Sequence, residues 1–248
     1  MSSSGEILFL GDPHGHFDRA LEVIVHRRPA AVVILGDMDL ERPLEQEVEL
    51  LLRHGIEVWW IHGNHDCDRV EWHDRLFNSA LGDRNLHGRV VEIAGIRIAG
   101  LGGVFREKIW WPGSGIKPEL QMRFRSRQDW LRVNPHLKWR DGLPLKHRAS
   151  IWWEDYERLW DERADVLVTH EAPSAHEYGF QVFDDLAAAM KVRTIVHGHQ
   201  HIDYSAELPA GVRVIGVGLA AVASLNGEVV LASLVNRGRH AAAGLTMG

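Results

Sequence analysis

Six short apolar runs recur along this 248-residue chain, and each stops at residues able to do chemistry. The runs, at 7–10, 32–35, 58–61, 96–99, 166–168 and 194–196, are rich in Val, Ile and Leu. Their endings read Gly11-Asp12-Pro13-His14-Gly15, Gly36-Asp37, Gly63-Asn64-His65-Asp66, Leu101-Gly102-Gly103, Thr169-His170 and Gly198-His199-Gln200-His201. Continuous apolar runs of this length mark strands buried on both faces. Open α/β sheets collect ligands just beyond the carboxyl ends of such strands. Five of the six endings supply a candidate ligand: Asp12, His14, Asp37, Asn64, His170, His199 and His201. Seven oxygen and nitrogen donors are the set needed to hold two metal ions.

Helical signals fall between the strands. Residues 17–28 place Leu21, Ile24 and Val25 on one face, and 44–54 starts after Pro43 and stops at Gly55, suited to a left-handed C-cap. A third helix is expected from near Asp68, where Asp68 and Glu71 have capping-box spacing. Asp12, Asp37 and Asn64 lie 25 and 27 residues apart, a βα repeat length. This order predicts an α/β fold with a largely parallel sheet covered on both faces. Ala94-Gly95 predicts a tight hairpin between 90–93 and 96–99, and Asn226-Gly227 a turn between strands at 212–217 and 228–234. Residues 1–235 read as one domain, with 236–248 a small, polar, disordered tail.

The pattern breaks between 104 and 163, recovering only in a helix expected from about Ile151 to Arg163. Seven of the ten tryptophans fall between residues 110 and 160. Residues 104–148 carry eleven Lys or Arg against four acids, an excess of seven positive charges in a chain whose net charge is −6. Long irregular segments inside a domain are functional or disordered, and this one is too aromatic for disorder. It is expected to be a cap beside the site, suited to an anionic substrate with a flat or apolar group. The plainer reading is a solvated basic surface over a tryptophan-filled minor core. The overall negative charge argues against a wholesale nucleic-acid binder. Cys67 is the only cysteine, so no intrachain disulfide is possible, and a reducing, cytoplasmic setting is expected. No run approaches the ~20 apolar residues of a membrane span, and the start of the chain lacks a basic region, so no membrane association is expected.

The joint pattern Asp12-Pro13-His14, Gly36-Asp37, Gly63-Asn64-His65-Asp66, His170 and Gly198-His199-Gln200-His201 resembles the calcineurin-like metallophosphoesterase superfamily, over about residues 6–203. The resemblance implies a two-sheet α/β/β/α sandwich, here with the Trp-rich cap inserted. It implies one metal held by Asp12, His14, Asp37 and His201, and a second by Asp37, Asn64, His170 and His199. His65 would contact the scissile phosphate without binding metal, and Asp66 would orient His65. Asn64, His65 and Arg42 are the expected substrate contacts. Arg42 falls one residue beyond the place of the phosphate-clamping arginine in serine/threonine phosphatases, whose Gly-Asp-x-His-Gly opening Gly11 to Gly15 matches. The Gly-His-x-His ending and tryptophan-rich insert look more like the phosphodiesterase branches.

The chemistry implied by that resemblance is self-consistent. Two dications about 3.5–4 Å apart repel, so a bridging carboxylate (Asp37) and a bridging hydroxide are needed between them. The hydroxide would attack phosphorus of a phosphodiester or phosphomonoester. Histidine-rich ligands favour Mn, Fe or Zn over Mg or Ca. The expected partner is a small phosphate ester. Alternatives are a nuclease using the basic insert as a strand channel, a serine/threonine-type protein phosphatase, and a non-catalytic scaffold, which the full ligand set disfavours. A Rossmann dinucleotide binder is disfavoured further by the lack of Gly-x-Gly-x-x-Gly after the first strand. His16, His62 and His197 border the motifs as support or core residues, while Glu171 and His176 are placed to shape a pocket.

Overall fold

Within each strand successive side chains go to opposite faces, and in this protein the two faces belong to different cores. The computed structural model describes residues 5–113 and 115–235. Its strands are β1 (Ile7–Gly11), β2 (Ala31–Ile34), β3 (Glu57–Trp60), β4 (Arg89–Ile93), β5 (Ile96–Leu101), β6 (Val166–Thr169), β7 (Thr194–His197), β8 (Tyr204–Glu207), β9 (Arg213–Gly216), β10 (Ala221–Ser224) and β11 (Val229–Leu231). Its helices are α1 (Asp18–Arg27), α2 (Leu44–Glu47), α3 (Glu49–Arg53), α4 (Val70–Phe77), α5 (Arg127–Val133), α6 (Trp153–Trp160) and α7 (Gln181–Met190). None is long and apolar enough to cross a membrane.

The strands form two sheets, ordered β11-β10-β1-β2-β3 and β4-β5-β6-β7-β9-β8. Phe9, Val33 and Trp59 of the first sheet meet Ile98, Val168, Val196 and Ile215 of the second in a central core. The opposite face of the first sheet, through Leu8, Leu10 and Ile34, packs on Leu21 and Ile24 of α1. The outer face of the second, through Leu101, Leu167, Ile195 and Val214, packs on Tyr156 of α6 and on Phe183 and Leu186 of α7. Helix, sheet, sheet, helix is the expected sandwich. The pairs β1·β2·β3 and β5·β6·β7·β9 are parallel, so their carboxyl ends share one edge of the molecule.

Local expectations fared unevenly. The β4–β5 hairpin turns at Ala94 (φ 48°) and Gly95 (φ 81°), the paired left-handed residues of a type I′ turn. Gly55 ends α3 with φ 72°, as expected, but 44–54 is two short helices that break at Val48. Asp68 does not cap α4, whose N-cap is Arg69 without a side-chain bond. The Asn226-Gly227 turn joins β10 to β11, not the 212–217 run, which lies in the other sheet as β9. The tail at 236–248 lies outside the described residues.

The 104–163 segment packs over the outer face of the second sheet. Trp110, Trp130 and Trp152 are buried there beside Leu101 and Leu167. Three of the seven tryptophans between 110 and 160 are therefore core, while Trp111 and Trp160 remain 47% and 41% exposed.

Candidate metal centre

The edge where the parallel strands end carries Asp12 after β1, Asp37 after β2, Asn64 and His65 after β3, His170 after β6, and His199 and His201 after β7. Six of the site residues, Asp12, His14, Asp37, Asp39, His199 and His201, have φ between 32° and 66°. Left-handed backbone is unusual for residues with a Cβ, though Asp and His tolerate it better than most. It turns each side chain back toward the strand ends. Gly63 is required by crowding, since a Cβ there would overlap Asp37 Oδ1 and the His170 ring.

One half of the site is compact. Asp37, His170 and His199 bring one ligand atom each within 4.8 Å of one another. His170 is fully buried and donates its Nδ1–H to the Leu35 carbonyl at 2.7 Å. Its Nε2 then faces Asn64 Oδ1 at 3.1 Å and Asp37 Oδ2 at 3.3 Å. Three acceptors converging on one point need a cation between them, either a proton on Nε2 or a metal ion. The other half is wider. His14 Nε2 lies 3.8 Å from Asp37 Oδ2, and His201 Nε2 lies 3.8 Å from Asp12 Oδ2. His14 donates its Nδ1–H to Asp39 Oδ2 at 2.8 Å, which leaves Nε2 as the ligand atom.

The unmet polar atoms of the described residues test whether ions fit. Both carboxylate oxygens of Asp12 and Nε2 of His14 are buried without a hydrogen-bond partner. Buried polar atoms are almost always satisfied, and these three unsatisfied ones belong to candidate metal-ligating residues. Electrostatics agree. Burial, opposed by His170, leaves the Asp12 carboxyl raised to about 8. Burial would lower His170, but the Asp37 and Asp12 carboxylates hold it at about 10. Burial, then the charge on His170, brings His199 down to about 3, keeping its ring neutral as a ligand must be. Ligand atoms bound to one such metal at about 2.0–2.2 Å are never more than about 4.4 Å apart, and the pairs His170–Asp37, His14–Asp37 and His201–Asp12, at 3.3, 3.8 and 3.8 Å, fall inside that limit.

Asp66 and His65 sit differently from expectation. The buried Asp66 carboxylate accepts the backbone N–H groups of Asp37 (3.0 Å), Met38 (2.8 Å) and Gly63 (2.7 Å), tying two ligand loops together. It is Asp68 that orients His65, taking its Nδ1–H at 2.7 Å. The reason is local: residues 65–67 form a 3₁₀ turn, in which positions three apart eclipse. The Arg42 guanidinium is held by Glu47 at 3.0 and 3.1 Å. Asp39, Asp68 and the Leu35 carbonyl were not anticipated. His197 bonds the Gly198 carbonyl and Tyr204, and is a support residue.

Two clefts flank the cluster. One, of ≈930 Å³, runs from His14 past Asp39 and Arg42 to Arg69, Trp72 and Arg75. The other, of ≈420 Å³, runs from His199 past Glu171 to Trp111, Tyr178 and Phe180. Part of the positive excess of residues 104–148 is met by acids outside that stretch. Arg125 pairs with Glu157, Arg127 with Glu154 and Asp155, and Arg140 with Asp74.

Comparison with known proteins places this arrangement. The calcineurin-like phosphoesterase profile matches residues 5–203. An uncharacterised protein of Haemophilus influenzae is 41% identical over 232 residues, covering 93% of this chain and 99% of its own. Among solved structures, a Thermus thermophilus protein superposes with a TM-score of 0.55 at 15% identity, covering 92% of this chain and 100% of its own. A dimetal phosphatase from Danio rerio superposes with a TM-score of 0.54 at 13% identity, covering 90% and 93%. Motif order, sandwich and converging ligands agree with the profile: the chain belongs to the calcineurin-like phosphoesterase family of metal-dependent phosphoric ester hydrolases.

Proposed function

We propose that the chain hydrolyses small phosphodiesters at a two-metal centre, with Mn, Fe or Zn as the ions. Asp12, His14, Asp37 and His201 would hold one ion, and Asp37, Asn64, His170 and His199 the other. One observation carries the reading. The Asp37 carboxylate stands between His14 Nε2 and His170 Nε2, and each imidazole has its other nitrogen tied to an acceptor. When bound, the ions would acidify water and offset phosphate charge.

The chain's own residues would do the rest. His65, 46% exposed, lies with its ring 5.3 Å from that of His14. With Nδ1–H on Asp68, its Nε2 is left to clamp a phosphoryl oxygen or to protonate the leaving alkoxide. The Asp68 carboxylate fixes the tautomer and direction of that ring. Asn64 points Oδ1 at His170, leaving its amide nitrogen for a phosphoryl oxygen. Asp66 fixes the spacing of the loops that bear Asp37 and Asn64.

Clefts on both flanks, one starting at His14 and one at His199, suit a phosphorus with two organic substituents. The paired arginines of the insert weigh against a strand-binding channel, and the Arg42–Glu47 pair weighs against a phosphatase-type arginine clamp. The test is metal-stripped protein reloaded with Mn, Fe(II) or Zn and assayed on bis-4-nitrophenyl and 4-nitrophenyl phosphate. We expect two bound equivalents and preference for the diester. His65→Ala should keep both equivalents and lose most turnover. A single equivalent, or no hydrolysis of either ester by the loaded protein, would overturn the reading.

A further inference from the structure

The cleft beside His199 differs in kind from the arginine-bearing one beside His14. At ≈420 Å³ it falls in the range of small-molecule sites, roughly 300–1,000 Å³, and no Lys or Arg is among the described residues lining it. Trp111 contributes an exposed indole, braced edge-on by Phe180 with ring centroids 5.2 Å apart. Phe180 is itself packed against Phe105 and Phe183, so this wall is fixed from behind. Glu171 lines the same cleft although it is only 5% exposed. Its Oε1 accepts the Phe105 N–H at 3.2 Å, while its Oε2 is buried with no hydrogen-bond partner among the described residues.

We propose, on the phosphodiesterase reading above, that this cleft holds one organic group of the ester, a flat nitrogen heterocycle that stacks on Trp111 and gives an N–H to Glu171 Oε2. Each feature excludes a different occupant. A second phosphate would meet Glu171 and Glu177 with no cation to offset it. An aliphatic group would fill the space but leave Oε2 unsatisfied, an unfavourable state for a buried acceptor. A flat ring with an amino group meets both demands, because aromatic stacking accepts any π-face while the carboxyl oxygen requires a donor. His199 belongs both to the cleft and to the compact ligand set, so the ring would sit one ester linkage from the reacting phosphorus.

Adenosine and purine riboside, which differ only in the amino group, separate the two contacts. Each is titrated into metal-stripped and metal-loaded protein, followed by tryptophan fluorescence and calorimetry. We expect saturable binding of adenosine in both forms, with purine riboside about tenfold weaker, the size of one hydrogen bond. Trp111→Ala should weaken adenosine by about tenfold, the loss of one stacking contact. Glu171→Gln, which keeps the shape but can turn its amide N–H₂ toward the cleft, should erase the preference for adenosine; a merely structural role would leave that preference intact. No saturation by adenosine up to its solubility limit, or equal affinity for both nucleosides in the unaltered protein, overturns the proposal. Hydrolysis of bis-4-nitrophenyl phosphate is scored separately. Binding without hydrolysis sinks the phosphodiesterase reading and leaves the cleft; hydrolysis without binding does the reverse.

Discussion

Asp66→Ala is expected to be among the most damaging single changes in the protein, although Asp66 touches neither of the ions its neighbours would hold. Its carboxylate is 1% exposed and accepts three backbone N–H groups, from Asp37, Met38 and Gly63. Each buried donor left without an acceptor costs about 1–3 kcal/mol. Three give a range of about 3–9 kcal/mol before relaxation. The space vacated by a carboxylate admits a water, which can serve two of the donors at most, so we expect about 4 kcal/mol. That is a large share of a typical total of about 5–15 kcal/mol. Asp66→Asn should recover little, because its amide nitrogen would face one or more of the same donors. The assay is urea unfolding of the metal-stripped protein at neutral pH, with metal affinity by calorimetry as a second readout. Affinity should drop in step, since Asp37 and Asn64 ride on the loops that Asp66 joins. A loss below about 1 kcal/mol, with affinity unchanged, would refute the claim that these three bonds hold the two loops in register.

Asp68→Asn should lower kcat by about tenfold or more while two metal equivalents remain, because it weakens the hydrogen bond that fixes the tautomer and direction of the His65 ring; loss of metal by elemental analysis would assign Asp68 a structural role instead. Gly63→Ala should lower metal content below two equivalents with far-ultraviolet circular dichroism unchanged, since its Cβ would push aside Asp37 and His170. The Asp155 carboxyl is opposed by burial but held by His87 and Arg127 well below the usual carboxylate range. Its folded value lies under its unfolded one, so its stabilisation is complete above about pH 4 and fades as pH falls toward the folded value. Urea unfolding of Asp155→Asn should therefore trail the unaltered protein by a constant amount between pH 5 and 7 and converge on it in stronger acid; a gap that widens in acid would contradict the assignment.

The parallel strands, and the gathering of the seven candidate ligand residues at their ends, were readable because both rest on local chemistry. Buried strands must be apolar, and ligands must be Asp, Asn or His. What escaped depended on partners remote in the sequence or on geometry with more than one local solution. β10 is Ala-Val-Ala-Ser and β8 is a half-exposed edge strand, so neither carries the apolar signal of a central strand. The spacing of Asp68 to Glu71 matches a capping box, yet the same Asp68 is also three residues from His65, and the tight 3₁₀ turn uses that relation. Charge counting along 104–148 saw the arginines but not Glu154, Asp155, Glu157 and Asp74, which come to meet them. A tryptophan count likewise cannot separate buried Trp110 from exposed Trp111, one residue apart on opposite sides of the backbone.

The backbone at Asp12, His14, Asp37, Asp39, His199 and His201 shares one conformation that L-residues avoid, at about 1–2 kcal/mol each. Glycine would relieve every one of these positions and remove the side chain that matters. A library screened only for heat resistance should therefore drift toward glycine at the strand ends, yielding tougher proteins that have stopped working. Tolerance to heating and catalytic competence are set against each other at these six residues.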